Sequence, residues 1–271
     1  MRIRDGYRMV ASLAILVATI GLRAYAGEIP TTSIEVPTAL PFGTPTNCSG
    51  VRPGALIESD KGLCTMNFLF QGSNGARYVG TAGHCILGES PLGGEEVGEF
   101  SGAGLAAEVA PLSVEARDGA GNRIGDFAYA ILSSAAGPTR DFSLVRLDPS
   151  VTANAQICHF GGPTGTNAAT PESPVLLHHY GNGLLVGEVL PARTHLALHL
   201  SNPDEALALG LALPGDSGAG VISDDGGAVG VLVTVGVNFG IGGPAIVDTG
   251  IIGITRIAPQ VDLAETKLGI S

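Results

Sequence analysis

A serine hydroxyl placed to act as a nucleophile is the first chemical feature of this sequence. Ser217 follows Asp216 in the glycine-rich segment LPGDSGAG, residues 213–220. Glycine adopts positive φ angles at little steric cost, so such a segment can present a hydroxyl on a sharply turned backbone. Short runs of Gly, Asp and Ser are also typical of ordinary turns. A catalytic role therefore requires a base elsewhere in the chain, because a serine hydroxyl alone is a weak nucleophile.

The candidate base is His84, in the segment VGTAGHC, residues 79–85. The apolar residues before it predict a strand, and a disulfide at Cys85 would hold the histidine in place, as a base that must meet a hydroxyl requires. All six histidines of the chain precede Ser217. This excludes the order Ser, acid, His of the α/β-hydrolases, whose nucleophile elbow also requires glycine where this chain has Ala219.

The segments TAGHC and GDSG together resemble the chymotrypsin-like, trypsin-fold serine proteases, in particular the secreted bacterial ones. The resemblance covers roughly residues 50–257 and is faint outside the two motifs. It implies an all-β fold of two six-stranded antiparallel β-barrels of the chymotrypsin type, with His84 in the first and Ser217 in the second. It also implies a serine endopeptidase that forms an acyl-enzyme and uses neither cofactor nor metal.

Two aspartates compete for the third catalytic position. In the family this acid opens a stretch of the form Asp-apolar-small-Leu-apolar-basic-Leu, which DFSLVRL, residues 141–147, fits at every position. The resemblance therefore favours Asp141. The segment GDFAYAIL, which contains Asp126, fits only at its start and is the alternative. In the implied mechanism His84 takes the proton of Ser217 and later gives it to the leaving amine, while Asp141 orients the ring.

The resemblance assigns two further roles to the glycine-rich segment. The N–H groups of Gly215 and Ser217 are expected to form an oxyanion hole. Asp216 is expected to turn inward and pair with a cation. Digestive members of the family supply that cation by cutting before an Ile-Val-Gly-Gly-like segment, which this sequence lacks. We therefore expect a buried arginine partner, which the sequence does not name, and activation by signal cleavage alone.

The primary specificity pocket is expected, by the same resemblance, at Leu211, Thr234, Val235 and Gly236. Leu211 stands where trypsin-like enzymes carry an aspartate, which disfavours cleavage after Lys or Arg. Val233 stands where a histidine would indicate acidic specificity. The expected substrate is a polypeptide bound in β-fashion and cleaved after apolar or small side chains.

The start of the chain has the order of a secretory signal peptide, with arginines, an apolar run and Ala-Tyr-Ala. Residues 1–26 are predicted as this signal, since the apolar run is shorter than the ~20 residues that span a bilayer. The signal holds four of the 14 basic and one of the 25 acidic residues, so the mature chain has 10 basic and 24 acidic residues and a net charge of −14. This charge disfavours nucleic acid as a partner. We expect a secreted monomer, extracellular or periplasmic, with no membrane attachment after cleavage.

The predicted organisation follows from turn signals. Residues 27–47 are rich in Pro and Thr and predict an extended lead-in. Short apolar runs with turns between them then favour barrels or sandwiches over βαβ units. The resemblance implies a first barrel over residues 48–152 and a second over residues 153–271. Hairpins are predicted at Asn74-Gly75 and around residues 225–227, with positive φ at both Asn74 and Gly75. Residues 259–268 predict a short C-terminal helix with Glu265 and Lys267 facing water.

Four cysteines, Cys48, Cys64, Cys85 and Cys158, follow the signal. An even count in an oxidising compartment favours two disulfides, and the residues alone leave three pairings open. The resemblance implies a bond between Cys64 and Cys85, which leaves Cys48 and Cys158 for the other. The cysteine spacings do not fit a zinc site.

The remaining histidines are predicted to be structural. His178 and His179 are adjacent on a predicted strand and point to opposite faces, which disfavours a shared metal. His195 and His199 lie in a β-like run. Two alternatives to an endopeptidase stay open on these residues: a catalytically silent binding protein on a protease fold, and an esterase that uses the same triad.

Overall fold

The computed structural model describes residues 48–87, 105–109, 114–133, 140–166, 175–183, 190–199, 203–235 and 249–268. The predicted signal peptide, the predicted lead-in and Gly236 of the predicted pocket lie outside these ranges. Neither helix of the described residues is long and apolar enough to cross a membrane.

The first sheet contains eight antiparallel strands in the described part of the chain. They follow the order β2-β1-β6-β7-β8-β4-β3, and β5 pairs with β7. The strands are β1 (Leu56–Ser59), β2 (Gly62–Thr65), β3 (Leu69–Gln71), β4 (Arg77–Thr81), β5 (Leu105–Val109), β6 (Val114–Asp118), β7 (Arg123–Ser133) and β8 (Asp141–Leu147). A short helix, α1 (His84–Leu87), follows β4 directly.

The second sheet closes on itself. Its order is β13-β10-β11-β12-β15-β14, and β14 pairs back with β13, while β9 adds to β14 as a parallel strand. The strands are β9 (Gly165–Thr166), β10 (Leu176–Tyr180), β11 (Ala192–His199), β12 (Glu205–Leu211), β13 (Gly220–Ser223), β14 (Gly227–Val235) and β15 (Thr249–Arg256). Helix α2 (Ile257–Leu268) follows the last strand.

The predicted fold class is confirmed, because the chain forms two curled antiparallel sheets and a short C-terminal helix. The second sheet is the expected six-stranded barrel, with β9 as an addition. The first sheet differs in detail from the expected six strands: its described part has eight, and the described pairings leave it open between β2 and β3. The 11-residue strand β7 accounts for one of the two additional strands, because it is long enough to pair with β5 and β6 on one edge and with β8 on the other.

The two predicted hairpins are present, and their turns are alike. Gly75 donates its N–H to Gly72 at 2.8 Å and has a φ of 76°. Gly226 donates in the same way to Ser223 at 2.7 Å, with a φ of 80°. The prediction of positive φ at Asn74 is wrong, because the turn is of the wider kind in which only the last residue is left-handed. The side chain of Asn74 instead accepts the N–H of Ala76 at 2.9 Å.

The interiors of the two sheets differ in side-chain size. Large aromatic rings, among them Phe68, Phe127 and Phe142, are fully buried in the first. Small and branched residues, such as Ala206 and Ala208, line the second. Small side chains suit the narrow interior of a six-stranded barrel.

Helix α2 begins two residues earlier than the sequence predicts and packs against β7, β8 and β14. Pro259 lies in its first turn, where an N–H has no partner within the helix. Val261 and Ala264 are buried. The prediction for Glu265 is wrong: it lies four residues after Val261 on the same helical face, so it is buried with that face and is 4% exposed. Burial, with a smaller contribution from Asp262, raises the pKa of Glu265 to about 7.

Disulfides join Cys64 to Cys85 and Cys48 to Cys158, the pairs that the family resemblance implies. The first links β2 to α1 beside His84 across 21 residues, and the second spans 110 residues. Loop-closure entropy gives each bond a stabilising effect of roughly 3–5 kcal/mol.

Candidate active site

His84 and Asp141 form a hydrogen-bonded pair at the edge of the first sheet. Strands β4 and β8 are antiparallel with Thr81 opposite Ser143, so the segment that follows β4 runs towards Asp141, the first residue of β8. One carboxylate oxygen of Asp141 lies 2.7 Å from His84 Nδ1, and the other accepts the backbone N–H of His84 at 2.9 Å. A carboxylate only accepts, which places the ring proton on Nδ1 and the basic lone pair on Nε2. The side chains are 10% and 8% exposed, so the pair is nearly enclosed.

The backbone before His84 requires small residues. A Cβ on Gly83 would lie 2.0 Å from the carbonyl oxygen of Ile131 on β7, so only glycine allows this close approach. The hydroxyl of Ser143 on β8 donates to the carbonyl of Ala82 at 2.9 Å. These contacts hold the turn between β4 and α1 and thereby set the position of the imidazole.

Ser217 lies in the loop between β12 and β13 and is 5% exposed. The glycines on either side are left-handed, with φ of 101° at Gly215 and 89° at Gly218, which a side chain would strain. Asp216 N–H bonds to Leu213 O and Ala219 N–H bonds to Asp216 O, both at 2.9 Å. The loop is therefore a pair of tight turns that presents the serine between them.

The serine loop packs directly on the segment that carries His84. A Cβ on Gly218 would lie 2.1 Å from Thr81 Oγ1 and 2.9 Å from the backbone nitrogen of Ala82. Ala82 is two residues before His84. The serine loop of the second sheet therefore packs, across the boundary between the sheets, on the segment of the first sheet that leads to His84.

Thr65 of β2 ties the carbonyl groups of the serine loop to the first sheet. Its N–H donates to Ser217 O at 2.8 Å, and its hydroxyl donates to Gly215 O at 2.7 Å. The hydroxyl also accepts the N–H of Asn182 at 3.2 Å. No hydrogen bond of the described residues uses the N–H of Gly215 or of Ser217. Both donors are therefore available to a group that enters from outside the loop.

Asp216 lies fully buried beneath the loop and holds its shape. Its carboxylate accepts the N–H groups of Leu213 and Gly183, both at 2.7 Å, and the guanidinium of Arg193. Arg193 of β11 is thus the buried arginine that the sequence predicts without naming. Burial opposes the charge of Asp216, but Arg193 and the Leu213 N–H lower its pKa below the ordinary value.

Asp126, the alternative acid, lies away from this group. It is on strand β7, with a side chain 44% exposed, and forms a two-bond ion pair with Arg123, each bond 2.8 Å long. The hydrogen bonds to Arg123 lower the pKa of Asp126. Only Asp141 of the two candidates contacts His84.

The predicted pocket residues flank strand β15. Leu211 pairs with Thr249 at one edge of β15, and Val235 pairs with Ile252 at the other. Leu211 is partly exposed. Thr234 precedes Val235 on β14, and the side chains of these two residues lie outside the description.

The adjacent histidines of β10 point to opposite faces, as predicted. His178 bonds to Thr194 Oγ1 and to Asp224 Oδ1, each at 2.9 Å. His179 points into the second barrel, towards Arg193 and His195. The structure does not describe the side chain of His199.

Cys64, His84 and Cys85 place potential metal-binding atoms within 4.8 Å of one another. Both sulfurs belong to the disulfide Cys64–Cys85. A metal requires thiolate sulfur, so this cluster does not offer a metal site in the oxidised protein.

Comparisons with known proteins give matches in structure only. No protein-family model and no curated protein matches the sequence. Thermobifida fusca protease A is 16% identical with a TM-score of 0.49, and the match covers 79% of this chain and 95% of that chain. Nocardiopsis protease is 16% identical with a TM-score of 0.47, and the match covers 79% of this chain and 95% of that chain. Cellulomonas bogoriensis chymotrypsin is 19% identical with a TM-score of 0.47, and the match covers the same shares, 79% and 95%. At such identities and TM-scores the likeness assigns no activity to this chain.

Proposed function

We propose that this chain is a secreted serine endopeptidase in which Ser217 is the nucleophile, His84 the general base and Asp141 the residue that orients it. The observation that carries the proposal is the contact between two independent parts of the chain. The hydrogen-bonded pair of His84 and Asp141 lies at the edge of the first sheet, and the Ser217 loop packs through Gly218 on Thr81 and Ala82, three and two residues before His84. An ordinary surface turn would not require this contact.

In the proposed reaction, His84 Nε2 accepts the proton of Ser217 Oγ as that oxygen attacks a peptide carbonyl carbon. The N–H groups of Gly215 and Ser217 stabilise the oxyanion that forms. The imidazolium, held by the Asp141 carboxylate, then gives its proton to the amine nitrogen as the C–N bond breaks. Water attacks the resulting ester with His84 again as base, which releases the acid and restores the Ser217 hydroxyl.

The same proposal includes substrate preference and location. Leu211 offers an apolar wall without a carboxylate, which supports cleavage after apolar or small side chains. Two disulfides support a mature protein in an oxidising compartment outside the cytoplasm.

The test is hydrolysis of a mixed peptide library by the purified, oxidised protein, with products identified by mass spectrometry. The Ser217→Ala protein is the negative control, and Asp126→Asn is a matched control for Asp141→Asn. We expect cleavage after apolar or small residues by the wild type and the Asp126→Asn protein only. If the wild type cleaves no more peptide than Ser217→Ala does, the proposal is wrong. If it then hydrolyses esters but not peptides, the protein is an esterase.

A further inference from the structure

Two histidines lie inside the second barrel in contact with the ion pair beneath the serine loop. His179 of β10 is directly opposite Arg193 of β11 in the sheet register, and His195 is two residues further along β11. His179 Nδ1 lies 2.6 Å from His195 Nε2, and the two rings are nearly parallel. Arg193 Nη1 lies 3.2 Å from His179 Nε2 and also bonds to Asp216. Each of these four side chains is 5% exposed or less.

The positions of the ring protons on His179 and His195 follow from the contact of His179 with Arg193. A guanidinium only donates, so Nε2 of His179 accepts from Arg193. His179 then carries its proton on Nδ1 and donates it to Nε2 of His195. The remaining proton of His195 is on Nδ1, which packs over Gly210, where a Cβ would lie 1.8 Å away. Nδ1 of His195 has no hydrogen-bond partner in the described residues. Both rings are therefore neutral in this arrangement.

The surroundings disfavour a charge on either ring. The charged and titratable groups that act on the pair are Asp216 from the serine loop, Arg193 from β11 and His178 from β10. Burial lowers the pKa of His179, and Arg193 and His178 add to this effect while Asp216 opposes it. Burial, with repulsion by His179, Arg193 and His178, holds the pKa of His195 well below its usual value.

We propose that His179 and His195 are positioning residues, which act through Arg193 and Asp216 to hold the serine loop in its active form while both rings are neutral. The proposal rests on the proposed function and adds to it a second set of residues inside the barrel. His179 supplies the acceptor that aligns the guanidinium with Asp216. His195 fixes the tautomer that makes His179 an acceptor, as Asp141 does for His84.

Protonation of the pair of His179 and His195 reverses its effect on the serine loop. A proton on His179 Nε2 turns the acceptor into a donor that faces Nη1 of Arg193, so two like charges meet. The same nitrogen lies 3.8 Å from the Asp216 carboxylate, beyond hydrogen-bond distance but near enough to compete with Arg193 after a small shift. The ion pair between Arg193 and Asp216 is then weakened, and the turn at Gly215 is no longer held in place. Acid therefore inactivates the protein in two steps, one at His84 and one at this pair.

The test compares pH profiles of kcat/KM for a peptide substrate in wild type, His179→Gln and His179→Leu. Gln places an acceptor near the position of Nε2 but does not titrate. In the wild type, log kcat/KM should fall with a slope that steepens from about 1 to about 2 as the pair takes up a proton. His179→Gln should keep a slope of about 1. His179→Leu should lower kcat about 10- to 100-fold at neutral pH, a loss that the glutamine variant recovers in large part.

His178→Gln, on the other face of β10, is the matched control: it should keep the wild-type kcat at neutral pH and the steepening slope, with the acid step moved only to higher pH because one repelling group is lost. A second readout needs no activity: the ¹⁵N spectrum of the Ser217→Ala protein should show His179 and His195 as neutral rings with pKa values below 6.5, the ordinary value for histidine. The positioning proposal is overturned if His179→Gln keeps the steep wild-type profile, or if either ring is charged at neutral pH. Failure of the wild type to hydrolyse any peptide would instead count against the proposed function, and the spectrum would still decide on the pair.

Discussion

Replacing Thr65 with valine is expected to loosen the serine loop while the triad residues stay in place. Thr65 is fully buried, and its hydroxyl donates to Gly215 O at 2.7 Å and accepts the N–H of Asn182 at 3.2 Å. Valine keeps the shape of threonine without the hydroxyl. The backbone bond from residue 65 to Ser217 O, 2.8 Å long, is retained.

The loss affects stability and catalysis to different degrees. An unsatisfied buried polar group costs about 1–3 kcal/mol, so the two lost bonds should lower the free energy of unfolding by about 2–6 kcal/mol. Complete loss of an oxyanion-hole donor costs about 10²–10³ in kcat in other enzymes. A Gly215 N–H that is misaligned only part of the time loses less, so we expect kcat to fall about 10- to 100-fold with little change in KM.

The assay is steady-state hydrolysis of a cleaved library peptide, together with urea unfolding of each variant. Thr65→Ser keeps the hydroxyl and is the control, with kcat within about threefold of the wild type. Equal kcat values for Thr65→Val and Thr65→Ser would refute the inference that this hydroxyl positions Gly215.

Asp141→Asn should lower kcat by about 10⁴, because the amide favours the wrong tautomer of the histidine, as measured by peptide hydrolysis. Asp126→Asn breaks only an exposed ion pair and should leave kcat within about twofold in the same assay. Gly218→Ala should lower the free energy of unfolding in urea by more than about 2 kcal/mol, since its Cβ would lie 2.1 Å from Thr81 Oγ1 at a φ of 89°. Glu265 has a folded-state pKa raised from 4.5 to about 7, so the stability that its protonated form contributes is fully present below pH 4.5 and is lost as the pH rises through 7. Its urea midpoint should therefore fall relative to that of Glu265→Gln between about pH 5 and pH 8, and a parallel course would contradict the assignment.

The sequence predicts the parts of the site that depend on local pattern. Ser217 and His84 lie in short motifs, and Asp141 begins a strand whose alternation is visible in the sequence. The structure brings His84 and Asp141 together because β4 and β8 are neighbours, and only Asp141 of the two candidate acids begins a strand of that pair.

The parts that the sequence misses depend on the register between strands. Arg193 reaches Asp216 because β11 pairs with β10 inside the closed barrel, and no motif marks that position. The sequence pattern of β11 points the other way, because the apolar Leu196 and Leu198 are exposed and the polar Arg193 and His195 are buried. Thr65 is missed for the same reason, because its hydroxyl bonds to a residue 150 positions away.

The prediction for Glu265 fails because it followed residue type rather than spacing. Glu265 lies four residues after Val261 and three before Leu268, which places it on the same helical face as these apolar residues. That face packs against strands of both sheets, so the carboxyl is buried with it.

The most direct test of the central claim is the mass of the intact protein after reaction with a fluorophosphonate, since only an activated serine reacts rapidly. The proposed triad predicts one adduct per chain, located on Ser217 by peptide mapping, and its loss in His84→Ala. An unlabelled wild type with both disulfides formed, or labelling that persists in His84→Ala, would contradict it.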